Sequence, residues 1–167
     1  MNQISYTTAR RDVVWLNLYL LTHYRWHRLV FLVCLLAVGW STVWSVEASL
    51  PVRAIVFTCS VLTFGPALLA FVAGFALLSV SRRDRGVLTQ HRIELLEEGL
   101  IEETPVNRGQ STWAGIYDVR SSRRYILIFI SHNSAHVIPK RAFASSSDAE
   151  TFYRFARSRW EAAQERP

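Results

Sequence analysis

Two long runs without a charged residue constrain this chain more than any other feature. The first extends from Leu29 to Val46 and the second from Ala54 to Ser81, with only Glu47 and Arg53 charged in the connection between them. At about 1.5 Å rise per residue, helices of these lengths would extend roughly 27 Å and about 40 Å, enough for a hydrocarbon core of about 30 Å. We therefore predict a transmembrane hairpin at 29–81, with spans at about 29–46 and 54–80.

Basic residues flank this hairpin asymmetrically. The chain has 19 Lys plus Arg against 13 Asp plus Glu, and the residues expected at the membrane interface are Arg25, Trp26, Arg28, Arg82, Arg83 and Arg85. Positive residues outside the short connecting loop predict a multi-pass membrane protein with both termini in the cytoplasm. Lipid headgroups, rather than nucleic acid, are the expected partners of these arginines.

The segment 1–28 precedes the first span. Ile4–Thr8 alternates and favours a strand, which would have to join a sheet formed beyond residue 87. Val13–Leu21 is apolar but too short to span, and mixed aromatic and basic residues follow it. This pattern fits an amphipathic helix at the membrane interface or, equally, a helix packed against the cytoplasmic domain.

The segment 82–167 is predicted to form that domain, because period-two patterning begins after the second span. Ser111–Val119 is expected to be one strand, and Tyr125–Ile130, apolar on both faces, a central strand. Ser147 and Glu150 form a capping-box pattern that predicts the start of a final amphipathic helix. The predicted fold class is a membrane α-helical hairpin plus α+β, with a small antiparallel sheet closed by that helix.

Several of these residues resemble a known family. Trp113-Ala114-Gly115-Ile116, the Tyr125–Ile130 strand and the hexapeptide Ile138-Pro139-Lys140-Arg141-Ala142-Phe143 before a helix with Phe152 are similar to the YcxB-like family of bacterial membrane proteins. The resemblance implies a pleckstrin-homology-like (PH-like) barrel on the cytoplasmic side. Gly115 departs from the polar or acidic residue that members more often have there.

Lys140 and Arg141 are the candidate binding residues. Pro139 restricts the backbone before them and Phe143 can anchor the segment, so the basic pair could hold an acidic protein or an anionic headgroup. The alternative is structural, with the pair ending the last strand and both side chains solvated.

The other polar clusters do not predict a catalytic or metal site. Glu97, Glu98, Glu102 and Glu103 are expected to form a solvated turn, and His132 with His136 offers too few ligands for a metal. The serines have no recognisable partner base. We therefore expect no catalysis, no cofactor and no metal site.

The second span holds the candidate helix-packing residues Gly65, Pro66, Ala70 and Gly74. Pro66 is expected to kink the helix, and Ala70 with Gly74 could admit another helix. The leading hypothesis is a non-enzymatic membrane protein that presents a PH-like domain for protein or headgroup binding. The alternative is a hairpin homo-oligomer that serves as a regulatory subunit, a pore or an immunity-type protective protein.

Overall fold

The computed structural model describes residues 2–79 and 87–165 as two compact units. Of these described residues, one unit comprises 2–13 and 87–165, and the other comprises Val14–Ser79. The chain therefore leaves the first unit, forms the second and returns to the first.

Three helices account for most of the second unit: α1 (Arg10–His23), α2 (Arg25–Trp44) and α3 (Leu50–Ser79). Both α2 and α3 are long and apolar enough to cross a membrane, and they coincide with the two predicted spans. The α-helical assignment of α3 continues through Pro66.

The two apolar helices pack against each other at a glycine. A Cβ added to Gly39 of α2 would lie 2.7 Å from the ring of Phe57 on α3, so only glycine fits without a shift. Near this contact the hydroxyls of Thr42 and Ser60 are hydrogen-bonded at 2.8 Å. This bond supplies a polar link between two apolar surfaces.

The first sheet of the other unit joins the N-terminus to residues beyond 87. Its order is β1 (Gln3–Thr7), β2 (Gln90–Leu95), β3 (Gly99–Glu103) and β4 (Arg108–Thr112), all antiparallel. Ile4 pairs with Ile93, and both are buried. The expected N-terminal strand and its pairing are thus confirmed, and the helices of the second unit are an insertion between two neighbouring strands.

The second sheet is a three-stranded meander of β5 (Asp118–Ser121), β6 (Tyr125–Ser131) and β7 (Ser134–Pro139). The first five residues of β6 are buried without alternation. Such burial requires cover on both faces, which is why the apolar run correctly predicts a central strand.

Helix α4 (Ser146–Gln164) completes the unit by burying Ala149, Phe152 and Ala156 in the core. The indole N–H of Trp160 donates to the carbonyl of Ile116 at 3.0 Å. This face of α4 carries the apolar periodicity seen in the sequence. Two apolar helices, antiparallel sheets and a C-terminal helix confirm the coarse α+β layout.

Three finer expectations are wrong. The two sheets do not close into a barrel. The expected strand Ser111–Val119 is interrupted by a 3-10 turn at Trp113–Gly115, because Trp113 buries its ring and its indole N–H donates to Leu96. Helix α4 is capped two residues earlier than expected, since the Ser145 hydroxyl accepts from the Asp148 backbone N–H at 3.1 Å.

Candidate functional site

The candidate site is built on Asp12, which lies in the first turn of α1 just after β1. The backbone N–H of Ala9 donates to Asp12 Oδ2 at 2.9 Å, and the N–H of Asp12 donates to the Ala9 carbonyl at 2.9 Å. This reciprocal pair fixes the chain where it turns from strand to helix. The Asp12 side chain is fully buried.

Arg141 and Tyr125 complete the hydrogen bonding of the buried carboxylate. The Arg141 guanidinium binds both carboxylate oxygens, at 3.1 and 2.8 Å, and the Tyr125 hydroxyl donates to Oδ1 at 2.7 Å. A two-point contact of this kind fixes the plane of the guanidinium. The sequence predicts Arg141 as either a solvated cation or a binding residue. In the structure its side chain joins the end of β7 to the start of α1.

Ionisation of this network follows from its contacts. Burial raises the pKa of Asp12, but the hydrogen bonds from Arg141, Ala9 and Tyr125 outweigh burial, so the pKa lies below its ordinary value. Burial and the carboxylate raise the pKa of the Tyr125 phenol, and the hydrogen bond to Asp12 raises the pKa of Arg141. The carboxylate is thus charged and the phenol is a neutral donor.

A cleft of about 380 Å³ opens beside this network, and we call it the cationic pocket. Its lining residues are Arg11, Arg123, Arg124, Tyr125, Lys140 and Arg141. They come from the first turn of α1, the β5–β6 turn and the 3-10 turn after β7. The Lys140 backbone N–H donates to the Arg124 carbonyl at 2.9 Å, which holds two of these segments together.

The positively charged side chains that line the pocket outnumber the carboxylates close to them. Among residues 2–79 and 87–165, no carboxylate lies within 4.0 Å of a side-chain nitrogen of Arg123, Arg124 or Lys140. Asp12 is the counter-charge of Arg141 and lies 4.0 Å from the Arg11 Nε. Converging guanidinium and ammonium groups with a fixed member favour a phosphate or carboxylate ligand.

Sequence reasoning names Lys140 and Arg141 but misses Asp12, Tyr125 and the arginine pair of the β5–β6 turn. One signal was available for Asp12, which is the first acidic residue of the chain and precedes Glu47 by a long interval. Its partner could not be read from the sequence, because the contact joins positions that are 129 residues apart.

The acidic cluster behaves differently from the expected solvated turn. Glu102 is partly buried, and its Oε1 lies 2.8 Å from His91 Nδ1 and 3.1 Å from His136 Nδ1. The expectation is therefore wrong for Glu102, because that residue lies on β3 rather than at the turn. His132 does not join this cluster and instead lies 3.3 Å from the Tyr117 hydroxyl.

The remaining predicted residues are those expected at the membrane interface. Arg25, Trp26 and Arg28 are exposed in the first turn of α2, whereas Arg82, Arg83 and Arg85 lie outside the described residues.

The predicted packing residues of α3 differ in their surroundings. A Cβ at Gly65 would be in ordinary contact with Leu35 of α2, but one at Gly74 would meet nothing within 4 Å. Ala70 and Pro66 are exposed. Helices α2 and α3 thus pack closely at Gly39. The expectation that Ala70 and Gly74 admit a further helix stays a prediction.

These features define a class: a small α+β unit that holds a cationic pocket and is interrupted by a pair of long apolar helices. The model of the YcxB-like protein family matches residues 95–156, so the resemblance predicted from the sequence is confirmed over that segment. Arg123, Arg124, Lys140 and Arg141 lie within the match, whereas Arg11 and Asp12 precede it. No curated protein sequence matches the chain.

Proposed function

We propose that this protein is a non-enzymatic integral membrane protein whose cationic pocket binds the phosphate of anionic lipid headgroups. In this proposal α2 and α3 cross the bacterial inner membrane, and both termini with the α+β unit lie in the cytoplasm. The observation that carries the proposal is the convergence of four arginines and one lysine around a cleft whose Arg141 is held by a buried carboxylate.

Composition and exposure of the helices support membrane insertion. The apolar stretch is 20 residues in α2 and 26 in α3, so each exceeds or matches a hydrocarbon core of about 30 Å. Large side chains such as Phe71 and Leu78 are exposed along α3. In water this surface would cost free energy that a lipid environment removes.

The α+β unit supports presentation of a ligand site rather than a reaction. Its four-stranded and three-stranded antiparallel sheets share one hydrophobic core with the C-terminal helix α4. The pocket brings together cations and one neutral phenol, which can hold an anion. A nucleophile paired with a base, which acyl or phosphoryl transfer would need, is absent from its six lining residues.

A lipid headgroup fits the pocket better than an acidic protein because of where the chain goes next. Arg11 lies in the first turn of α1, and this helix leads directly to the basic and aromatic start of α2. A site tethered to a membrane segment meets headgroups at high effective concentration. Each basic residue near an anionic surface contributes about 1 kcal/mol.

The test is lipid retention by the full-length protein, reconstituted in equal amounts of phosphatidylglycerol and phosphatidylcholine and measured by native mass spectrometry. The pocket variant is Arg123→Gln with Arg124→Gln. The control is Arg108→Gln with Arg154→Gln, which removes the same charge at exposed positions whose ion pairs lie outside the pocket.

We expect the wild type and the control to retain phosphatidylglycerol preferentially. The pocket variant should lose roughly 30-fold in this preference, from two contacts of about 1 kcal/mol each. Equal losses in both variants would mean general charge attraction, and no loss in either would remove the pocket as the site. An acidic protein captured by the wild type and lost in the pocket variant, with lipid preference intact, would reassign the pocket to a protein partner.

A second candidate function is oligomerisation of the hairpin. It is favoured by the open space beside Gly74, which the α2–α3 contact leaves unused. Gly74→Leu should then reduce oligomer size in detergent, and an unchanged size would eliminate this face as the contact.

A further inference from the structure

Three titratable side chains join the two sheets at a place separate from the cationic pocket. His91 lies on β2 and Glu102 on β3 of the four-stranded sheet, and His136 lies on β7 of the three-stranded sheet. Both imidazole Nδ1 atoms contact the same carboxylate oxygen, at 2.8 and 3.1 Å. The carboxylate thus bridges sheets that share no backbone ladder.

The contacts of His91 determine its protonation. Its Nδ1 faces the Glu102 carboxylate, and its Nε2 lies 3.0 Å from the Val87 carbonyl oxygen. A carbonyl oxygen and a carboxylate oxygen can only accept hydrogen bonds. Both ring nitrogens of His91 must therefore carry a proton. The geometry therefore calls for an imidazolium at His91.

The surroundings favour this charged form although they exclude water. His91 is 7% exposed, and the Tyr6 ring of β1 stacks on it with centroids 5.4 Å apart. The groups that face His91 are Tyr6, the Glu102 carboxylate with His136 beyond it, and the Val87 carbonyl. Burial keeps the pKa of Tyr6 far above its ordinary value, so the phenol stays neutral.

The direction of the pH dependence follows from these contacts. Burial lowers the pKa of His91, but the bonds to Glu102 and Val87 raise it more, so it lies above 6.5. Despite burial, the bonds from His136 and His91 lower the pKa of Glu102 to about 2. The contribution of His91 to stability is therefore complete below about pH 6.5 and is lost as the pH rises through the raised value.

We propose that doubly protonated His91 holds Glu102 in place, so that the Glu102–His136 contact, which joins the two sheets, is firmer with His91 charged than with His91 neutral. The bridge is a regulatory device of the α+β unit and does not depend on what the cationic pocket binds. Loss of one His91 proton would leave either the Glu102 carboxylate or the Val87 carbonyl without its donor, which would loosen the hold on Glu102.

The first experiment measures the imidazole nitrogens of the wild type. In full-length protein in detergent, ¹⁵N NMR should show both His91 nitrogens protonated at about pH 6.5 and one proton lost at higher pH. A His91 ring that is neutral at that pH would overturn the proposal without any variant.

The second experiment measures the consequence for the fold. The thermal midpoint of the α+β unit and the amide protection of β3 and β7 should both fall as the pH is raised above about 6.5. Glu102→Gln and His91→Gln should flatten this dependence, whereas His132→Gln, at an exposed histidine outside the cluster, should preserve it. An equally steep dependence in Glu102→Gln would show that other groups cause it.

Discussion

The hairpin and the α+β unit place their large apolar side chains in opposite ways. In the hairpin, large apolar side chains face outward, as Trp40 and Trp44 do at 62% and 74% exposure. In the α+β unit, apolar side chains face inward, and five consecutive residues of β6 are buried. The hairpin therefore exposes its apolar surface, whereas the α+β unit buries its apolar surface in its own interior.

The two regions also use polar groups differently. Helices α2 and α3 are joined by the Thr42–Ser60 hydroxyl pair, while the α+β unit contains the Asp12–Arg141 and Glu102–histidine clusters. A buried charge is tolerable only when it is paired and hydrogen-bonded. Specific charged contacts therefore concentrate in the unit that holds the candidate site.

Removing residues 1–9 should have the largest effect, because it takes a strand from the α+β unit while leaving the hairpin sequence intact. The deletion removes the buried side chains of Ile4 and Tyr6 and the Ala9 contacts of Asp12. Each core side chain is worth about 2–5 kcal/mol, comparable in sum with the stability of a small domain. Urea denaturation of the full-length protein in detergent should show no cooperative transition for this unit.

Substitution of the outward-facing Ser5 by Ala is the control for this deletion and should leave the transition in place. An unchanged urea midpoint after the deletion would mean that the hairpin is only tethered to the domain, rather than inserted into its fold.

Asp12→Ala should be the next largest change. It leaves the buried Tyr125 hydroxyl and the 42% exposed Arg141 side chain without their acceptor, at a cost of about 2–3 kcal/mol. Arg11→Gln, at a neighbouring side chain that is 71% exposed, should change the unfolding free energy by less than about 0.5 kcal/mol. Similar chemical-denaturation curves for the two variants would contradict the role given to the buried carboxylate.

Gly39→Leu should act on the hairpin alone. Overpacking against Phe57 costs about 1–3 kcal/mol, so resistance of the helices to denaturing detergent should decrease while the urea transition of the α+β unit stays unchanged. Leu62→Ala is the control, because Leu62 lies on α3 with Phe57 but is 69% exposed. If both substitutions weaken the hairpin equally, its helices do not pack as described.

The smallest effect is expected for Thr42→Val, which removes the interhelical hydroxyl contact. Hydrogen bonds between membrane helices contribute about 0.6 kcal/mol on average. Thr63→Val removes a hydroxyl that bonds only within α3, to the Cys59 carbonyl. The detergent-denaturation midpoint should be lower for Thr42→Val than for Thr63→Val. The reversed order would show that the Thr42–Ser60 contact does not stabilise the helix pair.

Local patterns predicted much of the fold. The apolar runs locate α2 and α3, the alternation of Ile4–Thr8 locates β1, and the unbroken apolarity of Tyr125–Ile130 locates the central strand β6. These features depend on side-chain burial repeating with the period of one element.

The failures have a common physical origin in contacts between distant positions. The turn at Trp113 depends on a hydrogen bond from the indole N–H to the Leu96 carbonyl. Glu102 lies away from the turn, where it contacts His91 and His136. The pocket likewise depends on Asp12 meeting Arg141 across the whole domain. Periodicity within one segment carries no information on such partners.

Topology mapping tests the central claim most directly, since the proposed hairpin must place its connecting loop and the α+β unit on opposite sides of the membrane. With Cys34 and Cys59 replaced by alanine, a single cysteine is introduced at Ser49 in the loop or at Ser134, the exposed first residue of β7. A membrane-impermeant maleimide applied to the periplasmic side should label the Ser49→Cys protein and should label Ser134→Cys only after the inner membrane is permeabilised. Equal labelling of both proteins before permeabilisation would contradict a membrane-spanning hairpin.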